Sequence, residues 1–399
     1  MAELYFNPWD PAFRADPYPA YRALVEGPPR LMNFAGPIAL IARYADVDAV
    51  LRDNERFSAV RPPNLPLARR GPFAGAATML TSDPPVHTRL RRLISREFTR
   101  RRINDLEPRI RSIMAALLDT IAARGAAEFD LMAAVANTLP VMVIAELLGV
   151  PSTNYAVFKQ WSDAVVAGSA RTQPWQEPPA EFLDAVGALR GYFAGQIEAR
   201  RAAPGPDLIS ALVAAHDDAE ALSANELLAF VVLLLLAGNE TTTNLIGNGM
   251  LALGRHPEQL DLLRREPTLI ADAVEEIIRY DGPVQATARF ATVAVNLDGT
   301  EIPAGAPAFV LIAAANRDPA KFPAPEKFDI TRRPNEHLAF GTGIHFCLGA
   351  PLARLEGAVA IDAILERFPR LRLADPAAPR IYKGSFFLRG LSELKMRID

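Results

Sequence analysis

The sequence predicts a mainly α fold with a minor β region, built as one domain over residues 1–399, and three patterns carry that expectation. Apolar residues recur at helical spacing from about Pro85 to Tyr280, alternating apolar positions are confined to short runs, and no repeat, low-complexity tract or linker divides the chain. A chain of 399 residues can bury a large core as one big domain or two ordinary ones, and without a linker one is the simpler reading.

Taken in order, Leu31 to Ala42 mixes apolar and turn residues around Gly36-Pro37, and a helical pattern begins near Asp46, which predicts a small sheet near the N-terminus. Asp130 is placed to cap a helical run ending near Gly149-Val150-Pro151, and Asp207 to cap Leu208 to His216. Ser223-Ala224-Asn225-Glu226 is a capping box that opens the longest helix, running to about Arg255. At 1.5 Å per residue that helix is roughly 50 Å long, and its first half is apolar on every side, so it must be buried. Alternation returns between Phe290 and Ile302 and from Leu391 to Ile398, as short strands.

Composition narrows the function. A single cysteine rules out an intrachain disulfide framework, and a net charge of −3 gives no reason to expect nucleic acid as a partner. Met1 to Asp10 has no basic head followed by an apolar stretch. The longest apolar run, Leu227 to Ala237, is 11 residues; a bilayer span needs about 20. The expectation is a cytoplasmic protein with neither leader nor membrane anchor.

The one cysteine, Cys347, sits in Phe340-Gly341-Thr342-Gly343-Ile344-His345-Phe346-Cys347-Leu348-Gly349. Glycines at 341, 343 and 349 permit backbone conformations and close approaches that a Cβ would block, and the local apolar residues would keep water from the sulfur. From Ala350 the chain reads as a helix with Pro351 in its first turn, so the helix's positive end faces the sulfur and favours thiolate over thiol. A lone cysteine is more commonly a buried small hydrophobe. The spacing Phe-x-x-Gly-x-x-x-Cys-x-Gly, however, resembles the haem-binding loop of the cytochrome P450 family, whose cysteine thiolate is the proximal iron ligand. The resemblance, to the soluble bacterial class I type, implies the family's triangular, helix-rich single domain with a long central helix and small sheets. It also implies haem b (iron protoporphyrin IX) as cofactor and Cys347 as the metal ligand, with Phe340, Gly341, His345 and Gly349 about it.

The long helix is interrupted by Ala237-Gly238-Asn239-Glu240-Thr241-Thr242-Thr243-Asn244, a costly run if buried, because Gly and β-branched Thr weaken helices and a buried carboxylate needs a partner. One reading turns this run to water, with threonines bonding back to carbonyls four residues earlier. An exposed patch between Leu233-Leu234-Leu235-Leu236 and Leu245-Ile246 is the poorer explanation. The run resembles the family's oxygen-binding motif. That implies Ala237 and Gly238 over the haem, and Glu240 with Thr241 as the catalytic acid and alcohol pair that relays protons during oxygen activation; Asn239 falls at a variable position and carries no inference.

Three further signatures agree. Glu276-Ile277-Ile278-Arg279 places opposite charges at i and i+3, by itself a common surface pairing, but its position matches the family's Glu-x-x-Arg, and the resemblance implies a buried structural network with Arg332. His87 and Arg91 share one helix face at i and i+4; with Arg289 and His345 they match the family's contacts to the haem propionates. Arg89, Arg92 and Arg96 form a second face, and residues 87 to 111 hold nine Arg against Glu97, Asp105 and Glu107. A charge run is usually a solvated face, yet this one lies in an otherwise acidic protein, and the resemblance implies a docking surface for an acidic ferredoxin or flavodoxin.

The resulting expectation is a monomeric haem-thiolate monooxygenase that inserts one oxygen atom from O2 into an apolar small organic substrate of terpenoid, steroid, fatty acyl or polyketide type. A peroxide-driven haem enzyme would lack the Glu240 and Thr241 pair, and a haem sensor or carrier would leave that pair without purpose. By resemblance the pocket is lined from Arg61 to Met79, Ala167 to Pro178, Val284 to Thr287 and Gly384 to Leu388. Its candidate walls are Phe73, Leu233, Ala237, Val284, Ala286, Phe386 and Phe387, and Arg69 and Arg70 are candidates for a substrate carboxylate.

Overall fold

The computed structural model describes residues 4–33, 36–62, 71–73, 75–171, 176–214, 222–383 and 386–398. They fall into two compact units. One gathers Met1–Ala59, Arg111–Ala136 and Thr241–Asp399; the other gathers Val60–Ile110 and Asn137–Glu240. The helices that bear on the site are, in chain order, α1 (Tyr44–Arg52), α2 (Val86–Ser95), α3 (Leu139–Leu147), α4 (Tyr155–Arg171), α5 (Ala180–Ala202), α6 (Ala224–Arg255), α7 (Ile270–Tyr280) and α8 (Ala350–Arg367).

The first unit holds the sheets. Strands β1 (Arg30–Asn33), β2 (Pro37–Ile41) and β3 (Phe57–Ser58) join β5 (Thr287–Ala291) and β8 (Pro307–Val310) in the order β1-β2-β8-β5-β3, with only the β2–β8 pairing parallel. Strand alternation divides β2 between two cores: Ala39 and Ile41 enter one apolar cluster with Val47, Phe57 and Val310, while Ile38 and Leu40 enter another with Phe13, Tyr21 and Phe309. The hairpin β6 (Val295–Leu297) to β7 (Thr300–Ile302) turns on Asp298-Gly299, both with positive φ, as a two-residue turn of this hand requires.

A second sheet has the order β4-β10-β9, with β9 at Arg372–Leu373, and its strand β4 leads into the helical run expected from Asp130. That residue ends β4 (Glu128–Asp130), paired with β10 (Lys395–Arg397), and its carboxylate accepts from the backbone N–H of Met132 at 3.1 Å and of Leu394 at 2.9 Å. The remote Leu394 supplies what the local pattern could not, and the chain passes through one π-helical turn, Met132–Ala136, before α3 begins. Asp207 does cap its helix, accepting from Ser210 at 2.9 Å, over Leu208–Ala214; His216 lies outside the described residues.

In the second unit α4 packs on α5 through Val165, Phe182, Ala185 and Val186, joined by Leu236 of α6. The capping box of α6 forms as expected: Glu226 N–H donates to Ser223 Oγ at 3.2 Å, and Ser223 N–H to Glu226 Oε2 at 2.8 Å. By length and composition α6 could cross a membrane, yet its most apolar window is 78% buried in the protein. Its glycines are occupied by neighbours. An added Cβ would lie 2.5 Å from Met132 Sδ at Gly247, 3.0 Å from Ile277 Cδ1 at Gly249 and 2.6 Å from Leu373 Cγ at Gly254, all within the first unit.

Candidate active site

Local backbone chemistry shapes the cysteine loop in the first unit. Gly341 and Gly343 have φ of +68° and +66°, and a Cβ on Gly343 would stand 3.1 Å from Leu51 O at the end of α1. Cys347 N–H donates to Phe340 O at 2.9 Å, closing the loop, and α8 starts three residues on with Pro351 in its first turn. Cys347 is half-buried, and an added Cβ on Gly349 would meet its Sγ at 4.0 Å, an ordinary van der Waals contact.

Glu275, Arg354 and His337 brace this loop, and the sequence reading missed all three. Arg354 stacks over Phe340, 4.4 Å from the ring centroid, and donates to both oxygens of Glu275 at 2.6 and 2.8 Å, while His337 Nε2 lies 3.1 Å from Glu275 Oε2. Burial pushes the Glu275 carboxyl up, but the hydrogen bonds from Arg354 and His337 outweigh it and hold it at about 2. The available signal was slight: Arg354 stands early in the helix after the cysteine, and Glu275 adjoins the Glu-x-x-Arg element.

That element is wholly interior. Arg279 Nε and Nη2 each donate at 2.8 Å to Glu276, both side chains have no exposed surface, and Arg332 Nε is 3.2 Å from Glu276 Oε2. Arg279 also donates to the carbonyls of Asn316, Pro325 and Lys327, and Glu276 accepts from Asp329 N–H at 2.9 Å.

Along α6 the solvated reading of the motif fails. Asn239, Glu240, Thr242, Thr243 and Asn244 are buried, Ala237 is exposed, and Gly238 and Thr241 are half-exposed. Residues 237, 238 and 241 share one face, so the open side of the helix presents small residues and one hydroxyl. Thr243 Oγ1 donates to Ala136 O at 2.9 Å, outside its own helix. An added Cβ on Gly238 would come 2.9 Å from Ile144 Cγ1 of α3, so packing is a second reason for glycine at the position expected to face the cofactor.

The expected propionate contacts lie in both units. His87, 2% exposed, and the half-buried Arg91 stand on α2 in the second; Arg289 on β5 and His345 beside the cysteine stand in the first. Of the arginine face, Arg89 is turned inward to an ion pair with Glu226, while Arg92 and Arg96 are exposed, as are Arg100 and Arg101.

Two expected pocket segments in the first unit are brought together. Val284 and Leu388 form a β-bridge, Gln285 N–H donates to Phe387 O at 2.9 Å, and Arg389 N–H to Pro283 O at 2.8 Å. The Arg389 side chain anchors the pair, donating to Asp281 at 2.8 Å and lying 3.6 Å over the Tyr382 ring. Phe386 and Ala286 are buried in an apolar cluster, Phe386 against Phe6, Phe309 and Phe387, while Val284 and Phe387 are half-buried. In the second unit Phe73 is half-buried and Leu233 is 8% exposed. Arg69, Arg70 and Gly384 lie outside the described residues, as do residues 172–175.

The donor set suits a haem. Cys347 offers one half-buried sulfur from a loop closed on Phe340 O, which is the single protein ligand a haem-thiolate iron takes.

Comparison with known proteins agrees with this geometry. The family model described as Cytochrome P450 matches residues 30–390. The cytochrome P450 monooxygenase PikC of Streptomyces venezuelae is 45% identical over 393 residues, 96% of this chain and 92% of that protein. The vitamin D(3) 25-hydroxylase of Pseudonocardia autotrophica is 45% identical over 96% of this chain and 94% of its own. Among solved structures, the Bacillus subtilis bacillaene polyketide synthase cytochrome P450 PksS superposes with a TM-score of 0.90 at 38% identity, covering 99% of this chain and 100% of that one.

Glu275 titrates at about 2 in the fold against an ordinary 4.5, so its contribution to stability is complete above pH 4.5 and is lost as pH falls toward 2. Glu275→Gln should therefore be less stable than the parent by about 2–3 kcal/mol at neutral pH. In urea unfolding curves the two should converge as the pH is lowered through that window; a gap that stayed constant with pH would assign the effect to packing alone.

Proposed function

The chain belongs to the cytochrome P450 family, and from that premise we propose that it hydroxylates a bulky apolar molecule of polyketide or steroid type, working as one cytoplasmic domain on electrons from a separate acidic ferredoxin or flavodoxin. It is a haem-iron monooxygenase that uses O2, an organic substrate and a redox partner. The substrate class is supported by the relatives, one described as a vitamin D(3) 25-hydroxylase and one as a polyketide synthase P450, and by the half-buried apolar side chains Val284 and Phe387 on neighbouring segments of the first unit.

When bound, haem iron supplies activation of dioxygen. The residues of this chain supply the rest. Cys347 presents a thiolate to the metal from a loop whose glycines admit the sulfur, and His87, Arg91, Arg289 and His345 orient the carboxylates of the porphyrin edge by charge and hydrogen bonding. The observation that carries the proton chemistry is on α6: Glu240 is 4% exposed while its neighbour Thr241 is half-exposed on the same open face as Ala237. Glu240 takes protons from solvent and Thr241 hands them on from its hydroxyl, inside a site whose apolar walls keep bulk water out.

Replacing the sulfur by oxygen in Cys347→Ser offers a hard, weak ligand in place of a polarisable thiolate. The variant should lose the strongly red-shifted Soret band of the reduced carbon monoxide complex together with all oxygenation; a parental spectrum would reassign the ligand.

Thr241→Ala should still consume reduced cofactor, but with most of the oxygen leaving as hydrogen peroxide. Glu240→Gln should slow consumption roughly tenfold and raise its solvent isotope effect. Measuring cofactor, peroxide and product together separates these roles, and a fully coupled Thr241→Ala would move proton delivery elsewhere.

Electron supply is assigned to the exposed charges at Arg92 and Arg96, with Arg89 at the edge of the patch. Reversing Arg92 and Arg96 to Glu should weaken association with an acidic ferredoxin about tenfold at low salt, mainly through the on-rate, and the effect should shrink as ionic strength rises. Peroxide-supported turnover should be unchanged, and an equal fall in it would indicate damage to the fold.

A further inference from the structure

Asn248 stands on α6 two turns after Thr241 and on the same face, about 10 Å further along the axis. It is fully buried, and its Nδ2 donates twice, to Asp281 O at 2.9 Å and to Arg389 O at 3.0 Å. Those carbonyls belong to segments 108 residues apart in the chain. One runs from Asp281 into Pro283 and Val284; the other leads back from Arg389 to Leu388 and Phe387. The two segments are bonded to each other by the Val284–Leu388 bridge, by Arg389 N–H on Pro283 O and by the Arg389 side chain on Asp281. Asn248 closes the triangle by fastening both of them to the helix.

A second contact sets the same register. Asn244, one turn nearer Thr241, is fully buried, and an added Cβ on Gly390 would overlap its side-chain amide. Glycine therefore lets the chain just past Arg389 lie directly on α6. An amide NH2 carries two donors and can serve two carbonyls at once. An apolar side chain of the same size would fill the space equally well, but it would leave both carbonyls unpaired and the two segments without a fixed height on the helix. We infer that Asn248 is a positioning residue for substrate: it clamps the segments that carry Val284 and Phe387 at a set distance from the Thr241 hydroxyl, and so determines how a bulky ligand is presented without touching it. This rests on the reading of Val284 and Phe387 as substrate wall. A wall held in place before the ligand arrives costs less to order on binding, so loosening the clamp weakens ligands that reach the wall and spares those that do not.

The test titrates holoenzyme with imidazole and with 4-phenylimidazole, following the Soret shift that nitrogen ligation of the iron produces. Imidazole reports the iron alone, whereas the phenyl ring of the larger azole reports the wall. In Asn248→Leu, which keeps the volume and removes both donors, the Kd of 4-phenylimidazole should rise about fivefold, while that of imidazole stays within about twofold of the parent. The reduced carbon monoxide spectrum should remain parental. Asn248→Ala should change the ratio of the two constants in the same direction. Gly254→Ala, which crowds Leu373 near the far end of α6, should lose stability in urea yet keep the parental ratio. A parental ratio in both Asn248 variants, or an equal change in Gly254→Ala, would overturn the inference. The wall is judged separately by Val284→Ala and Phe387→Ala. If those two alter the ratio and the Asn248 variants do not, the clamp is refuted and the wall stands; if only the Asn248 variants alter it, the clamp stands and other side chains of the clamped segments form the wall.

Discussion

Glu276 and Arg279 meet with no exposed side-chain surface on either, and much of the first unit is arranged to make that tolerable. Two charges taken out of water are stable together only if their remaining hydrogen-bonding positions are filled, and removing one partner from such a pair typically costs about 3–5 kcal/mol. Here the filling is done by backbone: carbonyls of Asn316, Pro325 and Lys327 receive Arg279, and Asp329 N–H satisfies Glu276. The dependence runs both ways. Residues 317–342 contain no strand or α-helix, so their peptide groups lack a ladder, and the ion pair with Arg332 serves as their common anchor. Asn316 then holds Leu338 N–H at 2.7 Å, immediately before the cysteine loop. The sulfur inherits its position from charges one helix away.

What could be read from the sequence was whatever the backbone demands locally. The capping box at Ser223, the glycines that turn the loop at 341 and 343 and the Pro-led helix after Cys347 each need only a few consecutive residues, and they appear where expected. The pairing of Glu276 with Arg279 was legible from its spacing, and its burial from the family resemblance rather than from the local pattern. Features that depend on a partner from far along the chain were invisible. Asp130 became the end of a strand because β10 returns beside it, Gly238 is shaped by Ile144, Arg89 turns in toward Glu226, and Phe386 is drawn into the core by Phe6 and Phe309. The brace of Glu275 and Arg354 escaped for the same reason, since its two halves stand on different helices.

The long helix shows a local rule broken where chemistry is expected. Asparagine, glutamate and two threonines buried in one stretch lower helix propensity and carry polar groups into the interior, and sequences that fold well accept such conflicts mainly at functional positions. The compensation lies in packing: the apolar turns on either side of the motif are buried, and the polar side chains find partners on other elements, Thr243 at Ala136 O and Asn248 at the carbonyls of Asp281 and Arg389.

Every glycine of this helix described above is matched to one bulky side chain: Gly238 to Ile144, Gly247 to Met132, Gly249 to Ile277 and Gly254 to Leu373. Each pair shares a fixed volume, because interiors are close-packed and neither gap nor overlap is tolerated cheaply. In a diverging lineage such positions are not free to drift one at a time. A methyl group gained on the helix must be met by a shorter residue opposite, so the history of this helix should be written in paired changes, with glycine surviving wherever its large neighbour survives.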